Sequence, residues 1–256
     1  MQGNQLGSVP RTLLDSQVAL GGPAVSVSGL SKRYGDVIAV DSLTFTLERG
    51  TITGFLGPNG AGKTTTLRLL LGLAEPSAGE ALVFGRRYRE LEDPIRRVGA
   101  VLESGDFDAG RSGRNHLRTL ALATGIPYGR VEDLLELVEL VRAADRPVKT
   151  YSLGMRQRLG LAAALLGDPE LLLLDEPANG LDPAGVHWLR GFLHRLAAQG
   201  RTVLISSHVL AEVAQTVQRA MIISGGRLAG ILELDALEDG ARSLEVAYLE
   251  LTGALS

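Results

Sequence analysis

The feature that most constrains the fold of this chain is a glycine-rich turn between a strand and a helix. Residues 51–56 are predicted to form a buried strand, and residues 65–73 have the spacing of an amphipathic helix. The turn between them, from Gly57 to Thr64, fits the pattern G-x-x-x-x-G-K-[ST]. A strand, this turn and a helix in that order predict a parallel α/β sheet that binds phosphate at the end of one strand.

The turn, called the phosphate loop below, is suited to bind a nucleoside triphosphate. Its glycines let backbone N–H groups face phosphate oxygens, and the following helix adds the positive end of its dipole. Lys63 is predicted to reach the β- and γ-phosphates and the Thr64 hydroxyl to ligate Mg²⁺. The flanking strand and helix disfavour the alternative, a glycine-rich turn with a chance lysine. The predicted nucleotide-binding residues here are Gly57, Pro58, Asn59, Gly60, Ala61, Gly62, Lys63, Thr64 and Thr65.

A second apolar strand, predicted over residues 171–174, ends in two acids. Asp175 stands at the carboxyl end of the strand, where doubly wound sheets place ligands, and is predicted to hold Mg²⁺ through a water. Glu176 is placed to polarise an attacking water as a general base. The alternative is two solvated acids at a strand end, which the accompanying phosphate loop disfavours.

A third informative segment is the sequence Y-S-L-G-M-R-Q-R at residues 151–158, where another helix is predicted to begin. Ser152 is a good N-cap for this helix, which is predicted over residues 152–166. The phosphate loop, this Ser-x-Gly segment (residues 152–154) and the acidic strand follow one another in that order. The order predicts a nucleotide site that one copy of the chain does not complete alone.

Strands and helices alternate along most of the chain, which predicts a mostly parallel sheet covered on both faces. A helical insertion is predicted where the strand pattern stops, between residues 104 and 150. The remaining predicted strands are 25–29, 43–48, 81–84, 97–102, 202–206, 220–224 and 227–232, and the remaining helices are 115–123, 131–141, 183–199 and 209–216. Residues 1–23 are expected to be a loosely ordered leader and residues 235–256 a short helical tail, on either side of one domain over 24–234.

Composition excludes several classes of protein. The net charge of −3 argues against a dedicated nucleic-acid binder, which usually carries a basic stripe. The absence of cysteine excludes disulfides and thiolate metal sites. No apolar run is long enough to cross a bilayer, and the N-terminus lacks the pattern of a signal peptide. The absence of cysteine also fits a cytosolic protein.

Over nearly its whole length, about residues 25–232, the chain resembles the ATP-binding cassette ATPases. The resemblance rests on the three separated segments described above, which occur in the order typical of that family. It implies the α/β fold of a P-loop NTPase, with a RecA-like, mostly parallel sheet, an antiparallel β subdomain and a helical insertion over about residues 104–167.

The resemblance also implies how ATP is held. Tyr34 matches the aromatic residue that stacks on adenine, although an ordinary exposed tyrosine at a strand end is the alternative. Ser152 and Gly154 match the residues that cap the γ-phosphate bound by the other subunit. Asn179 and Asp182 lie in a segment, N-G-L-D, that resembles the loop linking the two sites of the dimer.

Three residues are implied to act in hydrolysis. His208 resembles the switch histidine that contacts the γ-phosphate and positions the water. It joins Glu176, the predicted base, and Lys63 as the predicted catalytic residues.

The sequence departs from the usual family pattern at two places. The Ser-x-Gly segment usually reads L-S-G-G-Q, whereas this chain has Leu153 in place of a glycine and Met155 in place of the glutamine. Glu103 stands where most members carry a glutamine that touches Mg²⁺ and the membrane partner. It is predicted to bind Mg²⁺ together with Thr64 and Asp175, unless it is only an exposed strand end. These features resemble the bacitracin-resistance and lantibiotic-immunity branch, whose members are ATPase subunits of exporters.

The resemblance therefore implies a subunit that binds ATP and Mg²⁺ and powers a separate transmembrane permease from the cytoplasmic face of the membrane. Its other expected partner is a second copy of itself or a related ATPase, and no nucleic acid is expected. Two alternatives stay open at this point: a cassette ATPase acting on nucleic acid or ribosomes, and a non-catalytic ATP sensor. The cargo is open among a drug, a peptide antibiotic and a lipid.

Overall fold

Strands and helices alternate along the chain, as the sequence predicted. The structure is a computed structural model that describes residues 22–102, 107–234 and 240–253. Its strands are β1 (Val25–Tyr34), β2 (Val37–Leu47), β3 (Ile52–Leu56), β4 (Ala78–Val83), β5 (Val98–Val101), β6 (Leu171–Asp175), β7 (Thr202–Ser207), β8 (Arg219–Ser224) and β9 (Arg227–Glu233). Its α-helices are α1 (Lys63–Leu70), α2 (Pro94–Arg97), α3 (Gly113–Thr124), α4 (Gly129–Leu137), α5 (Leu153–Ala164), α6 (Pro183–Ala198), α7 (Leu210–Ala214) and α8 (Gly240–Thr252).

A six-stranded sheet forms the centre of the fold, with the strand order β5-β6-β7-β3-β8-β9. All neighbouring strands are parallel except β8 and β9, which form an antiparallel hairpin. Every residue of β3, β6 and β7 is buried. Strands covered on both faces need continuous apolar runs, which is why these three are the clearest strands in the sequence. The prediction of a mostly parallel sheet is confirmed.

A second sheet, antiparallel with the order β2-β1-β4, covers one face of the central sheet. The two sheets meet through Phe45 of β2 and Phe55 of β3, whose ring centroids lie 5.8 Å apart. The sequence predicted the start of β1 but ended it at residue 29, whereas the ladder continues to a pair between Tyr34 and Val37. Register shifts at and beyond Gly29, which has a φ of +55°, break the alternation on which the prediction depended.

Helix α1 packs in the core between the two sheets through Leu67 and Leu70, whereas helices α3 to α7 contribute to a second core. Helices α3, α4 and α5 share a buried core that includes Leu117, Leu134 and Leu159. No strand occurs in this region among the residues that the structure describes, as predicted. The division of the chain at residues 23 and 234 and the extent of the insertion stay predictions.

Two ionic clusters join the helical region to the rest of the molecule. In one, Asp168 accepts hydrogen bonds of 2.8 Å from both Arg130 of α4 and Arg201, which directly precedes β7.

In the other, Arg158 of α5 pairs with Glu139 and lies 4.0 Å from the centroid of the Trp188 ring on α6. The Trp188 Nε1–H donates to Glu139 at 3.2 Å, and the indole ring stacks on Phe192. This cluster fixes α5 and α6 side by side.

The last helix, α8, packs against α7, β8 and β9. Leu244 is fully buried, and the Leu251 side chain lies directly over Gly230 of β9. Within the described parts of the chain, none of the helices combines the length and the apolar character that a membrane span requires.

Candidate functional site

The phosphate loop lies between β3 and α1, and close backbone approaches require two of its glycines, Gly57 and Gly62. A Cβ atom on Gly57 would lie 2.4 Å from the Ile223 carbonyl oxygen, and one on Gly62 would lie 2.3 Å from that of Ala39. Gly62 also has a φ of +99°, which L side chains rarely adopt. The loop is therefore held tightly between the end of β8 and the start of β2.

Lys63 is buried and its ammonium group is directed back into the loop. Its Nζ donates to the carbonyl oxygens of Gly57 at 2.7 Å and Pro58 at 3.3 Å. The same nitrogen lies 3.3 Å from Glu176 Oε1. A buried ammonium held by carbonyls and one carboxylate is placed to exchange these partners for phosphate oxygens.

Thr64, at the start of α1, faces Asp175 at the carboxyl end of β6. The Thr64 hydroxyl donates to Asp175 Oδ2 at 2.6 Å. Mg²⁺ is usually held by one or two carboxylates together with phosphates and waters, so this oxygen pair fits the ion. The third predicted ligand, Glu103, lies outside the described residues. Among those described, no cluster of three or more His, Cys, Asp or Glu could hold a metal by itself.

Ser206 is a functional candidate that sequence reasoning missed. Its buried hydroxyl donates to Asp175 Oδ1 and accepts a 2.9 Å hydrogen bond from the Glu176 backbone N–H. It reaches both acids because β6 and β7 are parallel neighbours in which Asp175 pairs with Ser206. A polar residue at the end of the next apolar strand was the signal that could have identified it.

Glu176 and His208 are in direct contact. The Nδ1 atom of His208 lies 2.9 Å from Glu176 Oε2, and because a carboxylate only accepts, Nδ1 carries the proton. Glu176 also has a φ of +47°, an uncommon value for a residue with a side chain. One carboxylate therefore lies between the cation of Lys63 and the imidazole of His208.

Near this pair, burial raises the pKa of the Glu212 carboxyl. The charge of His208 opposes the rise and that of Glu176 adds to it. Glu212 is a second nearby acid that the sequence analysis did not single out.

A cavity lies over the phosphate loop and extends toward the β1–β2 turn. It is lined by Val37, Ile38 and Ala39 of β2, by residues 59–65 and by Glu176. Tyr34 is not among the lining residues. Its half-exposed ring lies next to the turn, with the Lys32 ammonium 4.9 Å from its centroid. Its contact with adenine stays a prediction.

The Ser-x-Gly segment forms the N-terminus of α5. The Ser152 hydroxyl accepts a hydrogen bond from the Met155 N–H at 3.2 Å, which confirms the predicted N-cap. Asp182 caps the neighbouring helix α6 in the same way, through the Gly185 N–H at 2.7 Å. The Leu153 side chain lies against Gly180, where a Cβ atom would be 2.4 Å from it.

These two helix N-termini line a second cavity, separate from the one over the phosphate loop. It includes Ser152, Gly154, Leu181 and Asp182. The two cavities have no lining residue in common among the described residues. Asn179 lies in sequence between Glu176, which lines the first cavity, and Gly180, which lines the second. Its N–H donates to the Glu176 carbonyl at 3.1 Å. One chain thus presents the phosphate loop and the Ser-x-Gly segment as two separate surfaces.

A protein-family model described as "ABC transporter" matches residues 40–179. The chain belongs to the ABC transporter family. It is 42% identical over 229 residues to the bacitracin transport ATP-binding protein BcrA of Bacillus licheniformis, covering 88% of this chain and 74% of that protein. It is 34% identical over 224 residues to the lantibiotic transport ATP-binding protein SrtF of Streptococcus pyogenes, covering 88% and 95%.

The fold of this ABC transporter chain also matches solved structures of the family. The structure of an ATP-binding subunit of an ABC transporter superposes with a TM-score of 0.78 at 30% identity, covering 90% of this chain and 99% of the other. The predicted resemblance and fold class are confirmed, and the chain is an ATP-binding subunit of the family. The structure brings Lys63, Thr64, Asp175, Glu176 and His208 together, while their individual roles stay predictions.

Proposed function

We propose that this protein is the ATP-hydrolysing subunit of a bacterial exporter of drugs or antimicrobial peptides. In this proposal it binds a separate membrane permease at the cytoplasmic face of the plasma membrane. The names of its relatives, which concern the transport of bacitracin and of lantibiotics, support the export of such compounds. The observation that carries the proposal is that the phosphate loop and the Ser-x-Gly segment line two separate cavities of one chain.

Two subunits facing head to tail would complete each site. ATP would lie between the phosphate loop of one subunit and the Ser-x-Gly segment of the other. The N-terminus of α5 offers a hydroxyl, backbone N–H groups and a helix dipole to the γ-phosphate. Binding therefore closes the dimer, and loss of the γ-phosphate removes the bridge and reopens it. The second subunit is another copy of this chain or a related ATPase.

The chain's own residues account for hydrolysis. On ATP binding, Lys63 leaves the carbonyls of Gly57 and Pro58 for the β- and γ-phosphates, and its contact with Glu176 is released. Glu176 then takes a proton from water as the water oxygen bonds to the γ-phosphorus and the bond to the ADP oxygen breaks. His208 holds the Glu176 carboxylate in place through Nδ1–H.

The residues also fit a magnesium ion. Thr64 and Asp175 would hold Mg²⁺, which when bound neutralises charge on the phosphates. Ser206 keeps the Asp175 carboxylate oriented toward Thr64.

Purification of the tagged chain from its native host tests the proposal. Gentle solubilisation of the membranes should recover a multi-span membrane protein in equal amount, and bacitracin or a lantibiotic should change the rate of phosphate release by the complex. Recovery of ribosomes or nucleic acid instead, without membrane association, would contradict the exporter and favour a cassette ATPase that acts on them. A complex that binds ATP without releasing phosphate would contradict the enzymatic part.

A further inference from the structure

The turn between β8 and β9 lies directly behind the phosphate loop. It consists of Gly225 and Gly226, with Ser224 and Arg227 paired across it. Both glycines have positive φ values, +55° and +78°, as a two-residue hairpin turn with a right-handed twist requires. The two positions therefore demand the same residue type for the same local reason.

The two glycines differ in their surroundings. A Cβ atom on Gly225 would meet nothing within 4 Å. On Gly226 it would lie 3.1 Å from the Ala39 carbonyl oxygen and 3.2 Å from the Val40 Cα. Gly226 is thus pressed against the backbone of β2, whereas Gly225 faces open space.

Gly226 also connects two pieces of the candidate ATP site by hydrogen bonds. Its N–H donates to the Ala61 carbonyl in the phosphate loop at 3.2 Å, and its carbonyl accepts from the Asp41 N–H of β2 at 2.8 Å. Beside it, Arg227 forms an ion pair with the Asp41 carboxylate, with Nη2 and Oδ2 2.7 Å apart.

These contacts join the two walls of one cavity. Ala39 stands on β2 between the Gly226 backbone and the phosphate loop, since its carbonyl also faces Gly62. Val37 to Ala39 and the phosphate loop line the same cavity. A displacement of Gly226 from β2 would therefore change the separation between the two walls that enclose ATP.

We propose that Gly226 is a positioning residue for ATP, which sets the separation between the phosphate loop and β2. The inference deepens the proposed function and rests on ATP binding at this cavity. Gly226 touches no reacting atom, so its effect falls on the binding of ATP and leaves the Glu176 and His208 pair unchanged.

The test compares Gly226→Ala with Gly225→Ala, which carry the same substitution at neighbouring positions of positive φ. We expect Gly226→Ala to raise KM and the Kd for ATP about tenfold, which corresponds to about 1.4 kcal/mol. The kcat of Gly226→Ala should stay within about twofold of that of the unaltered protein. For Gly225→Ala, kcat, KM and the Kd for ATP should all stay within about twofold, because strain in the turn alone does not separate the cavity walls. Thermal unfolding without nucleotide shows that both variants fold.

A milder pair of variants keeps the test decisive if Gly226→Ala does not fold. Arg227→Gln removes the ion pair with Asp41 and should raise KM, while Arg227→Lys retains a cation and should restore part of the affinity. Equal ATP affinity in Gly225→Ala and Gly226→Ala would overturn this inference but not the proposed function. A fall in the kcat of Gly226→Ala at unchanged KM would do the same. Failure of the unaltered protein to bind ATP would instead overturn the proposed function.

Discussion

At the scale of single residues, the most informative position is Ser206. Its hydroxyl contacts both acids of the site, as donor to Asp175 and as acceptor from the Glu176 backbone. We expect Ser206→Ala to lower kcat about tenfold, because leaving buried partners unpaired costs about 1–3 kcal/mol and misplaces both carboxylates.

The neighbouring substitution Ser207→Ala is the matched control for this prediction. The Ser207 hydroxyl accepts only from the Val209 N–H, at 3.0 Å, among the contacts described. Steady-state phosphate release with each variant, together with thermal unfolding, makes the comparison. Equal losses of kcat in both variants would show that Ser206 has no special role in orienting the acids.

A site residue could be predicted from the sequence when the pattern that identifies it lies in one continuous segment. Lys63 and Thr64 were predicted because the phosphate loop is one continuous segment between a strand and a helix. Asp175 and Glu176 were predicted because they end an apolar strand. Ser206 and Gly226 were missed because their roles come from strand register and a hairpin turn, which bring distant segments together.

At the scale of secondary-structure elements, α5 and α6 meet through their N-termini. Leu153, which replaces the usual glycine of the family, packs on Gly180, whose missing Cβ provides the space. The Leu153→Gly change opens a gap, and the Gly180→Ala change collides with Leu153 and also strains a residue with a φ of +69°. We expect each single variant to lower phosphate release and the double variant to recover part of the loss.

A double-mutant cycle measures this dependence. Residues in contact typically show interaction free energies of about 0.5–3 kcal/mol, either in stability or in activity. Recovery in the double variant remains incomplete because the strain at position 180 persists. Strictly additive effects would mean that Leu153 and Gly180 do not act as a compensating pair.

A second element-scale prediction concerns the joint between α4 and β7. A hydrogen bond from Arg201, and the charges of Arg201 and Arg130, lower the pKa of the Asp168 carboxyl and outweigh the opposing effect of desolvation. Its folded-state pKa lies below the unfolded value, so the stabilisation is present at neutral pH and is lost as pH falls through the folded pKa.

Because Asp168 is largely exposed, we expect Asp168→Asn to lower the free energy of unfolding by only about 0.5–1 kcal/mol at pH 7. The difference from the unaltered protein should shrink as the pH falls below about 4, where aspartate is protonated in the unfolded chain. Denaturant unfolding across this pH range measures it, with the exposed Asp133→Asn on α4 as control. A pH-independent difference would contradict the ionic explanation.

Sequence predicted most elements but not all of their limits. The buried strands β3, β6 and β7 were found because their apolar runs are continuous. The extension of β1 to Tyr34 was missed because irregular register interrupts the alternation of buried and exposed residues. The one-turn helix α2, at Pro94–Arg97, was missed because four residues carry too little periodicity.

At the scale of the whole molecule, the separated half-sites predict a dimer that depends on ATP. Glu176→Gln keeps the shape of the side chain but removes the base, so hydrolysis should slow by about a hundredfold or more. We expect this variant to elute as a dimer on size exclusion with saturating Mg-ATP, and as a monomer with ADP. A variant that stays monomeric with ATP and turns over normally would contradict the head-to-tail mechanism.

The order of the three segments led us to predict a two-subunit site, and that site stays a prediction. Only the structure shows that the phosphate loop and the Ser-x-Gly segment line different cavities, because this separation depends on how the helical region packs on the sheet.

The packing of Trp188 has a practical consequence. It is the only tryptophan of the 256 residues, and its ring is enclosed by Arg158, Glu139 and Phe192 where α5 and α6 adjoin. Because the chain has one tryptophan, fluorescence excited at the red edge of the protein absorption spectrum comes from this one position. Indole emission responds to nearby charges, and Arg158 and Glu139 both contact the ring. The molecule therefore carries its own optical probe of the helix pair behind the Ser-x-Gly segment, and stopped-flow fluorescence can follow that pair during turnover without any attached dye.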